Sequence, residues 1–240
     1  MKYFIILAVI IFYICINDLF AQYRLQNHVD IGKTKISNGL YFSNSTYFDY
    51  SYNETTFKIG VRVDFIDRTT FNRFFSGLDI LVNQKIPLKK MELHLSIQYF
   101  MHLYSQWITE NNGAILGTLT TKHFEWLAGL HFRNIHYNKM GNEFNLDNPN
   151  IFELWNLVYG IKYNLKPLDA NWNVGIGITN RDYFVINQAS NPMFYLDGKY
   201  IIQSRLTLFA EMWLLNAGVM NISANNYGSF LRTGILWNIK

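Results

Sequence analysis

The chain has 240 residues, of which 50% are hydrophobic and 17% aromatic, and a formal net charge of +4. Its mean hydropathy is nevertheless only -0.01, so the apolar residues must alternate with polar ones rather than form long blocks. The charges are scattered and no recognised module accompanies them, which argues against a nucleic-acid-binding protein.

The N-terminus has the pattern of a cleavable signal peptide. Lys2 is followed by an apolar run, Tyr3–Ile16, and a small residue, Ala21, comes five positions later. This order is typical of secretory signals, and the run is shorter than the roughly 20 residues that cross a bilayer as a helix. We therefore predict a signal peptide over residues 1–21 and a mature domain over residues 22–240.

The chemistry open to the mature chain is restricted. The single cysteine, Cys15, lies within the predicted signal, so we expect no disulfide, no thiolate metal site and no cysteine nucleophile. The six histidines show no tight ligand spacing, and we predict no metal and no cofactor. Phosphate loops, dinucleotide fingerprints and nucleophile elbows are not found in the sequence.

From Phe57 to the C-terminus, apolar and polar residues alternate with a period of two. The clearest apolar row is Met91, Leu93, Leu95, Ile97, Tyr99 and Met101, and the residues between are mostly polar: Glu92, His94, Ser96, Gln98 and His102. Successive side chains of a strand point to opposite faces, so this segment predicts one apolar and one polar wall. Similar rows recur, each about 9 to 11 residues long, which is the length of a tilted membrane-spanning strand.

Short turns and longer polar loops separate these rows. The turns at Lys85–Lys90 and Lys166–Asn171 contain Pro87 and Pro167, which cannot donate to a strand ladder. Stretches rich in Asn and Gly fall at 137–150, 181–192 and 216–229. Short periplasmic turns and long extracellular loops are typical of outer-membrane barrels.

The predicted strands lie near 39–51, 56–66, 75–84, 91–104, 113–121, 123–137, 151–165, 171–181, 193–202, 204–214 and 229–239. Bacterial barrels of one chain usually have an even number of strands, so a weak first strand near 28–36 would complete twelve. The alternative is a ten-stranded barrel in which residues 22–55 act as an arm or plug.

Alternation would also fit a soluble β-sandwich or a lipocalin-like barrel. Three features favour a membrane barrel instead. The polar rows are dominated by Gly, Asn, Ser and Thr, and only 16% of the chain is charged. Aromatic residues cluster at row ends, where they suit a boundary between lipid and water; they include Tyr47, Tyr50, Phe100, Trp107, Trp155 and Tyr195. About twelve strands can close, which leaves no unpaired edge in lipid.

The final stretch, Phe230–Lys240, resembles the terminal strand of outer-membrane β-barrel proteins, and the resemblance covers nearly all of residues 39–240. It implies an all-β fold, a closed antiparallel transmembrane barrel in the bacterial outer membrane. It also implies contact with outer-membrane lipid and lipopolysaccharide, and recognition by the barrel-insertion machinery. The chain ends in Asn-Ile-Lys, whereas many members end on an aromatic residue. Such a resemblance is to an architecture and specifies no activity.

Two functional hypotheses remain open. The leading one is a non-enzymatic barrel, either a narrow channel for small solutes or a structural and assembly component of the envelope. The other is an outer-membrane lipid hydrolase, because His94 and Ser96 form a His-x-Ser pair similar to that of lipid A deacylase barrels, with Glu92 on the same face. Against it, same-face neighbours lie about 7 Å apart along a strand, and this pair falls on the polar face instead of the lipid face.

The polar rows supply the residues predicted to line the lumen. They are Lys58, Arg62, Asp64, Glu92, His94, Gln98, Glu125, His131, Arg133, Lys162, Arg205, Glu211 and Arg232. Among them, His131 and Arg133 are predicted to share a face with Glu125, and Arg205 with Glu211. Such groups either cross-link the interior of a barrel or form a selectivity filter.

Overall fold

A computed structural model describes residues 21–34, 40–65, 75–103, 108–137, 150–167, 170–181, 192–217 and 225–239. The predicted signal peptide, apart from Ala21, lies outside these residues, as does Trp107. Within the described ranges, no helix is long and apolar enough to cross a membrane.

The described residues form a closed antiparallel barrel of twelve strands. The strands are β1 Gln22–Thr34, β2 Leu40–Tyr52, β3 Thr55–Asp64, β4 Phe75–Pro87, β5 Glu92–Leu103, β6 Ile108–Thr120, β7 Phe124–Tyr137, β8 Asn150–Asn164, β9 Trp172–Thr179, β10 Met193–Gln203, β11 Leu206–Ala217 and β12 Asn225–Asn238. Each strand pairs with its neighbours in sequence, and β1 pairs with β12 to close the wall. The predicted all-β, twelve-stranded barrel is confirmed. The ten-stranded alternative is wrong, because β1 and β2 belong to the wall.

Burial in this wall is the reverse of that in a soluble protein. Ile97 and Leu157 are 64% and 65% exposed, whereas Asp30 and Asp49 are 0% and 1% exposed. Apolar surface left in water costs about 25 cal/mol per Å², so a continuous outer belt of such residues fits lipid and not water. The soluble sandwich is therefore excluded in favour of a transmembrane barrel.

Strand register assigns the two faces residue by residue. Leu95 is 47% exposed on the outside, while the hydroxyl of Ser96 donates to the Asn83 side chain on the inside at 2.9 Å. Because strand side chains alternate, a slip of one residue would move every apolar side chain of β5 into the interior.

One polar cluster interrupts the outer belt, on β1 and β2. The Asn27 amide donates to Asn44 Oδ1 at 3.1 Å and to Thr46 Oγ1 at 2.7 Å. In return, the Asn44 amide donates to Asn27 Oδ1 at 3.1 Å and to the His28 carbonyl at 3.0 Å. This cluster, the Asn27–Asn44–Thr46 clasp, satisfies its own amide hydrogens, which reduces the cost of placing it in lipid.

The turns that the structure describes in full, between β2 and β3, β4 and β5, β6 and β7, and β10 and β11, fall at one end of the barrel. Asn53 has a φ of 50° in the two-residue turn between β2 and β3, a conformation that Asn tolerates better than most residues. In the turn after β4, the Leu88 amide donates to the Met91 carbonyl at 2.9 Å. The turn predicted at Lys85–Lys90 begins too early, because residues 85–87 still pair with β5. Pro87 fits there because it is the last residue of its strand.

Candidate functional site

The barrel interior is the candidate site, and its first ion-pair group joins β1, β12 and β11. Arg232 Nε lies 2.7 Å from Asp30 Oδ1, and its Nη1 lies 3.4 Å from Glu211 Oε2. The three residues face one another directly across the two strand pairs. Asp30 is 0% exposed, and a buried carboxylate requires such a partner.

A second group is centred on Lys162 of β8. Its Nζ lies 2.9 Å from Asp197 Oδ2 on β10 and 3.3 Å from Glu125 Oε1 on β7. The lysine crosses over β9 at Gly175, where an added Cβ would lie 2.5 Å from both Lys162 Cε and Asp197 Oδ1. The glycine is therefore needed so that a cation of β8 can reach a carboxylate two strands away.

A third group follows β3, β5, β6 and β7. Arg62 Nε lies 3.0 Å from Asp64 Oδ1, and His102 Nε2 lies 3.9 Å from Asp64 Oδ2. Farther round the wall, Arg133 Nη1 lies 3.8 Å from Glu110 Oε1, and both side chains are 3% exposed.

His131, Arg133 and Glu125 each have a different partner on the face that they are predicted to share. His131 Nε2 instead lies 2.9 Å from Asn112 Oδ1, Arg133 lies beside Glu110, and Glu125 pairs with Lys162. All these side chains lie inside the barrel. Residues on one face of a strand can nevertheless have different partners, because each partner is a residue that lies near it on another strand.

Arg205 is placed differently from the prediction. It lies in the exposed two-residue turn between β10 and β11, because β11 begins at Leu206. It is therefore outside the barrel wall, and Glu211 is instead paired with Arg232.

A cavity of about 170 Å³ opens within the interior, on the side formed by β1 to β5 and β12. Its polar lining includes Gln26, His28, Lys58, Asp79, Gln98 and Arg232. Lys58 Nζ donates to Gln26 Oε1 at 2.9 Å and lies 4.4 Å from the centre of the Tyr47 ring. Cations, carboxylates and aromatic rings thus meet around one polar space.

The aromatic lining was not predicted, since Tyr47, Phe100 and Tyr195 were assigned to the lipid–water boundary. Tyr47 stacks on His28 with ring centres 5.6 Å apart, and Tyr195 stacks on Trp213 at 4.5 Å. Tyr47 is paired with Gly60 on β3, and Tyr195 is paired with Gly177 on β9. Each ring occupies the space that a Cβ on its glycine would need. A glycine at a polar position of the neighbouring strand is the signal that could have located these rings inside.

The proposed hydrolase residues share the inner face but are not arranged for catalysis. Ser96 Oγ donates its proton to Asn83 Oδ1 at 2.9 Å, while His94 Nδ1 lies 3.3 Å from the same Asn83 amide and Nε2 lies 3.6 Å from Glu92. An amide oxygen is not a general base, so the serine is not activated in this arrangement.

No protein-family model matches the chain, and no curated protein matches it in sequence. Several solved structures share its fold. The KdgM porin matches with a TM-score of 0.54 and 5% identity over 90% of this chain and 99% of that chain. The same porin in complex with disordered oligogalacturonate gives a TM-score of 0.54 at 6% identity, over 90% and 99%. The NanC porin matches with a TM-score of 0.50 and 12% identity over 89% of this chain and 98% of that chain. At these identities the likeness shows a common barrel fold.

Proposed function

We propose that the protein is a non-enzymatic channel of the bacterial outer membrane, with a narrow interior that admits small polar solutes. The observation that carries this proposal is a closed barrel with an apolar exterior and a polar interior that retains an open cavity. A lipid-facing belt around a charged lumen is the arrangement of channel-forming barrels.

The interior favours neutral or zwitterionic solutes over strongly charged ones. Basic and acidic side chains of the inner rows are both numerous: Arg24, Lys58, Arg62, Arg133, Lys162, Lys199 and Arg232, with Asp30, Asp49, Asp64, Asp79, Glu110, Glu125, Asp197 and Glu211. Many of them pair along the wall. Opposed charges held close together cancel at a distance, so neither sign of ion gains a large advantage.

This charge balance limits what can be carried over from the structural likeness. The KdgM porin was solved in complex with oligogalacturonate, and that ligand is a polyanion. The paired charges of the present interior offer such a chain no net attraction, so we propose solutes of low net charge for this protein.

The route to the membrane is part of the proposal. The first strand begins at Gln22, the residue that follows the predicted cleavage site, which supports a signal peptide removed after Ala21. Export would deliver the chain to the barrel-insertion machinery, and the outer belt would then contact outer-membrane lipid and lipopolysaccharide. Mass spectrometry of the protein isolated from outer membranes tests the site, since an N-terminus other than Gln22 contradicts it.

Planar-bilayer recording tests the channel directly. Purified barrel, shown to be folded by its heat-modifiable migration on a gel, is expected to give discrete conductance steps. In a salt gradient the reversal potential should lie near zero, because the interior charges are balanced. Folded protein that gives no steps would contradict a channel and favour a structural or assembly component of the envelope.

A further inference from the structure

Strand β9 ends at Thr179, and the two described residues that follow it are held in place by side-chain hydrogen bonds. Within the described residues, its register with β8 runs from Asn164–Gly175 to Gly160–Thr179, although β8 extends back to Asn150. Beyond Thr179, the backbone amide of Asn180 still donates to the Tyr159 carbonyl at 3.2 Å. The Asn180 side chain adds two bonds to β8: its Oδ1 accepts from the Tyr159 amide at 2.8 Å, and its Nδ2 donates to the Leu157 carbonyl at 2.6 Å. Asn180 is 3% exposed, so this attachment is shielded from water.

The next residue, Arg181, turns into the interior. Its backbone amide donates to Thr179 Oγ1 at 3.1 Å, and that hydroxyl donates to the Tyr159 carbonyl at 2.9 Å. The guanidinium then donates from Nη2 to Gln98 Oε1. Gln98 belongs to β5, and β6, β7 and β8 lie between it and β9 in the wall. The contact therefore crosses the lumen instead of following the wall.

Gln98 is oriented to receive this contact. Its Nε2 donates to Asp79 Oδ1 at 2.8 Å and Oδ2 at 3.0 Å on the adjacent strand β4. With the amide nitrogen held by the carboxylate, the amide oxygen points toward Arg181. Gln98 is 5% exposed, and both Gln98 and Asp79 line the interior cavity.

We propose that Arg181, Gln98 and Asp79 form a cross-lumen bridge that sets the narrowest passage of the channel, and that Arg181 supplies the positive charge that balances Asp79 there. This inference rests on the proposed channel function and names the residues that determine its width and selectivity. Loss of the arginine would widen the passage and leave a carboxylate in it. A carboxylate in a constriction attracts cations, so the channel would become cation-selective.

Single-channel recording of four variants separates the effects of width and charge. Arg181→Ala is expected to raise conductance about twofold and to shift the reversal potential toward that of the cation. Gln98→Ala breaks the bridge without removing a charge, so conductance should rise with less change in selectivity. Adding Asp79→Asn to Arg181→Ala should restore weak selectivity while conductance stays high. Arg205→Ala is the matched control, because it removes the same charge from an exposed turn, and should behave as wild type.

The outcomes distinguish the bridge from the channel itself. If wild type conducts and Arg181→Ala conducts identically, the bridge is refuted while the channel stands. If wild type is silent and Arg181→Ala conducts, the bridge is supported, while the proposal that the wild-type protein is an open channel fails. If both are silent although folded, the channel proposal fails, and a double-mutant cycle for thermal unfolding of Arg181→Ala and Gln98→Ala decides the bridge: coupled effects support it and additive effects overturn it.

Discussion

An arginine placed on the outer face of β5 tests the assignment of the barrel faces. Ile97 is 64% exposed, and its outward neighbours Val82 and Ile115 are 37% and 60% exposed. These neighbours offer a guanidinium no hydrogen-bond partner, and lipid cannot solvate it. Ile97→Arg near the middle of the strand should therefore destabilise the folded barrel by about 2–4 kcal/mol. Leu95→Arg, two residues nearer the short turns, should cost less because the penalty falls toward the interface.

The adjacent position provides the control. Ser96 faces the interior, where its hydroxyl meets Asn83 and where water and polar groups can solvate a cation. Reversible folding of Ile97→Arg, Leu95→Arg and Ser96→Arg in lipid vesicles measures the three costs on one scale. Equal destabilisation at positions 96 and 97, or a larger loss at position 95 than at 97, would refute the assignment of faces and of membrane depth.

Three further predictions concern the Asn27–Asn44–Thr46 clasp, the Asp30–Arg232 pair, and Ser96 with His94. Asn27→Ala should destabilise the barrel by about 1–3 kcal/mol, since the Asn44 side chain loses its Asn27 partner in lipid and keeps only the His28 carbonyl as an acceptor for its amide hydrogens. Asn27→Leu with Asn44→Leu should recover most of that loss when the free energy of unfolding is measured. An unchanged single variant would contradict the clasp. Arg232→Ala should lower the free energy of unfolding by about 3–5 kcal/mol because the buried Asp30 carboxylate loses its partner. Adding Asp30→Asn should restore part of that stability. Additive losses in the two variants would contradict the ion pair. Ser96→Ala and His94→Ala should leave folding and conductance as in wild type, and a fatty-acid release assay should detect no activity in any of the three proteins; release by wild type alone would revive the hydrolase.

Strand faces could be predicted from the sequence wherever the outer row was apolar, as along β5. The first strand is predicted near 28–36, but it starts at Gln22. The Asn27–Asn44–Thr46 clasp explains the error of this prediction. Asn27 stands on the outer face, where the pattern requires an apolar residue, so the alternation is broken at the centre of β1. Asn44 and Thr46 break it in the same way on β2. This broken alternation is compatible with the ten-stranded alternative, which assigned residues 22–55 to an arm or plug.

Contacts inside the barrel were harder to predict than faces. Alternation tells that Glu125, His131 and Lys162 face the lumen, but strand register decides that Glu125 stands opposite Lys162. Arg205 has the correct parity for the inner face, yet a two-residue turn removes it from the wall. Tyr195 has inner parity as well, and the general preference of aromatic rings for the membrane boundary was the wrong guide, because Gly177 on the next strand leaves space for its ring.

The direction of a contact determines its effect on passage through the barrel. The pairs Asp30–Arg232 and Glu125–Lys162 run between adjacent strands, so they lie along the wall and do not cross the lumen. Each charged group of these pairs already has a partner at about 3 Å. A passing solute would have to displace that partner to bind the group, which makes strong binding to the wall unfavourable. Arg181 differs because its partner stands across the interior, so a solute must pass beside that contact or break it. Control of passage should therefore depend more on this cross-lumen contact than on the larger number of charges along the wall.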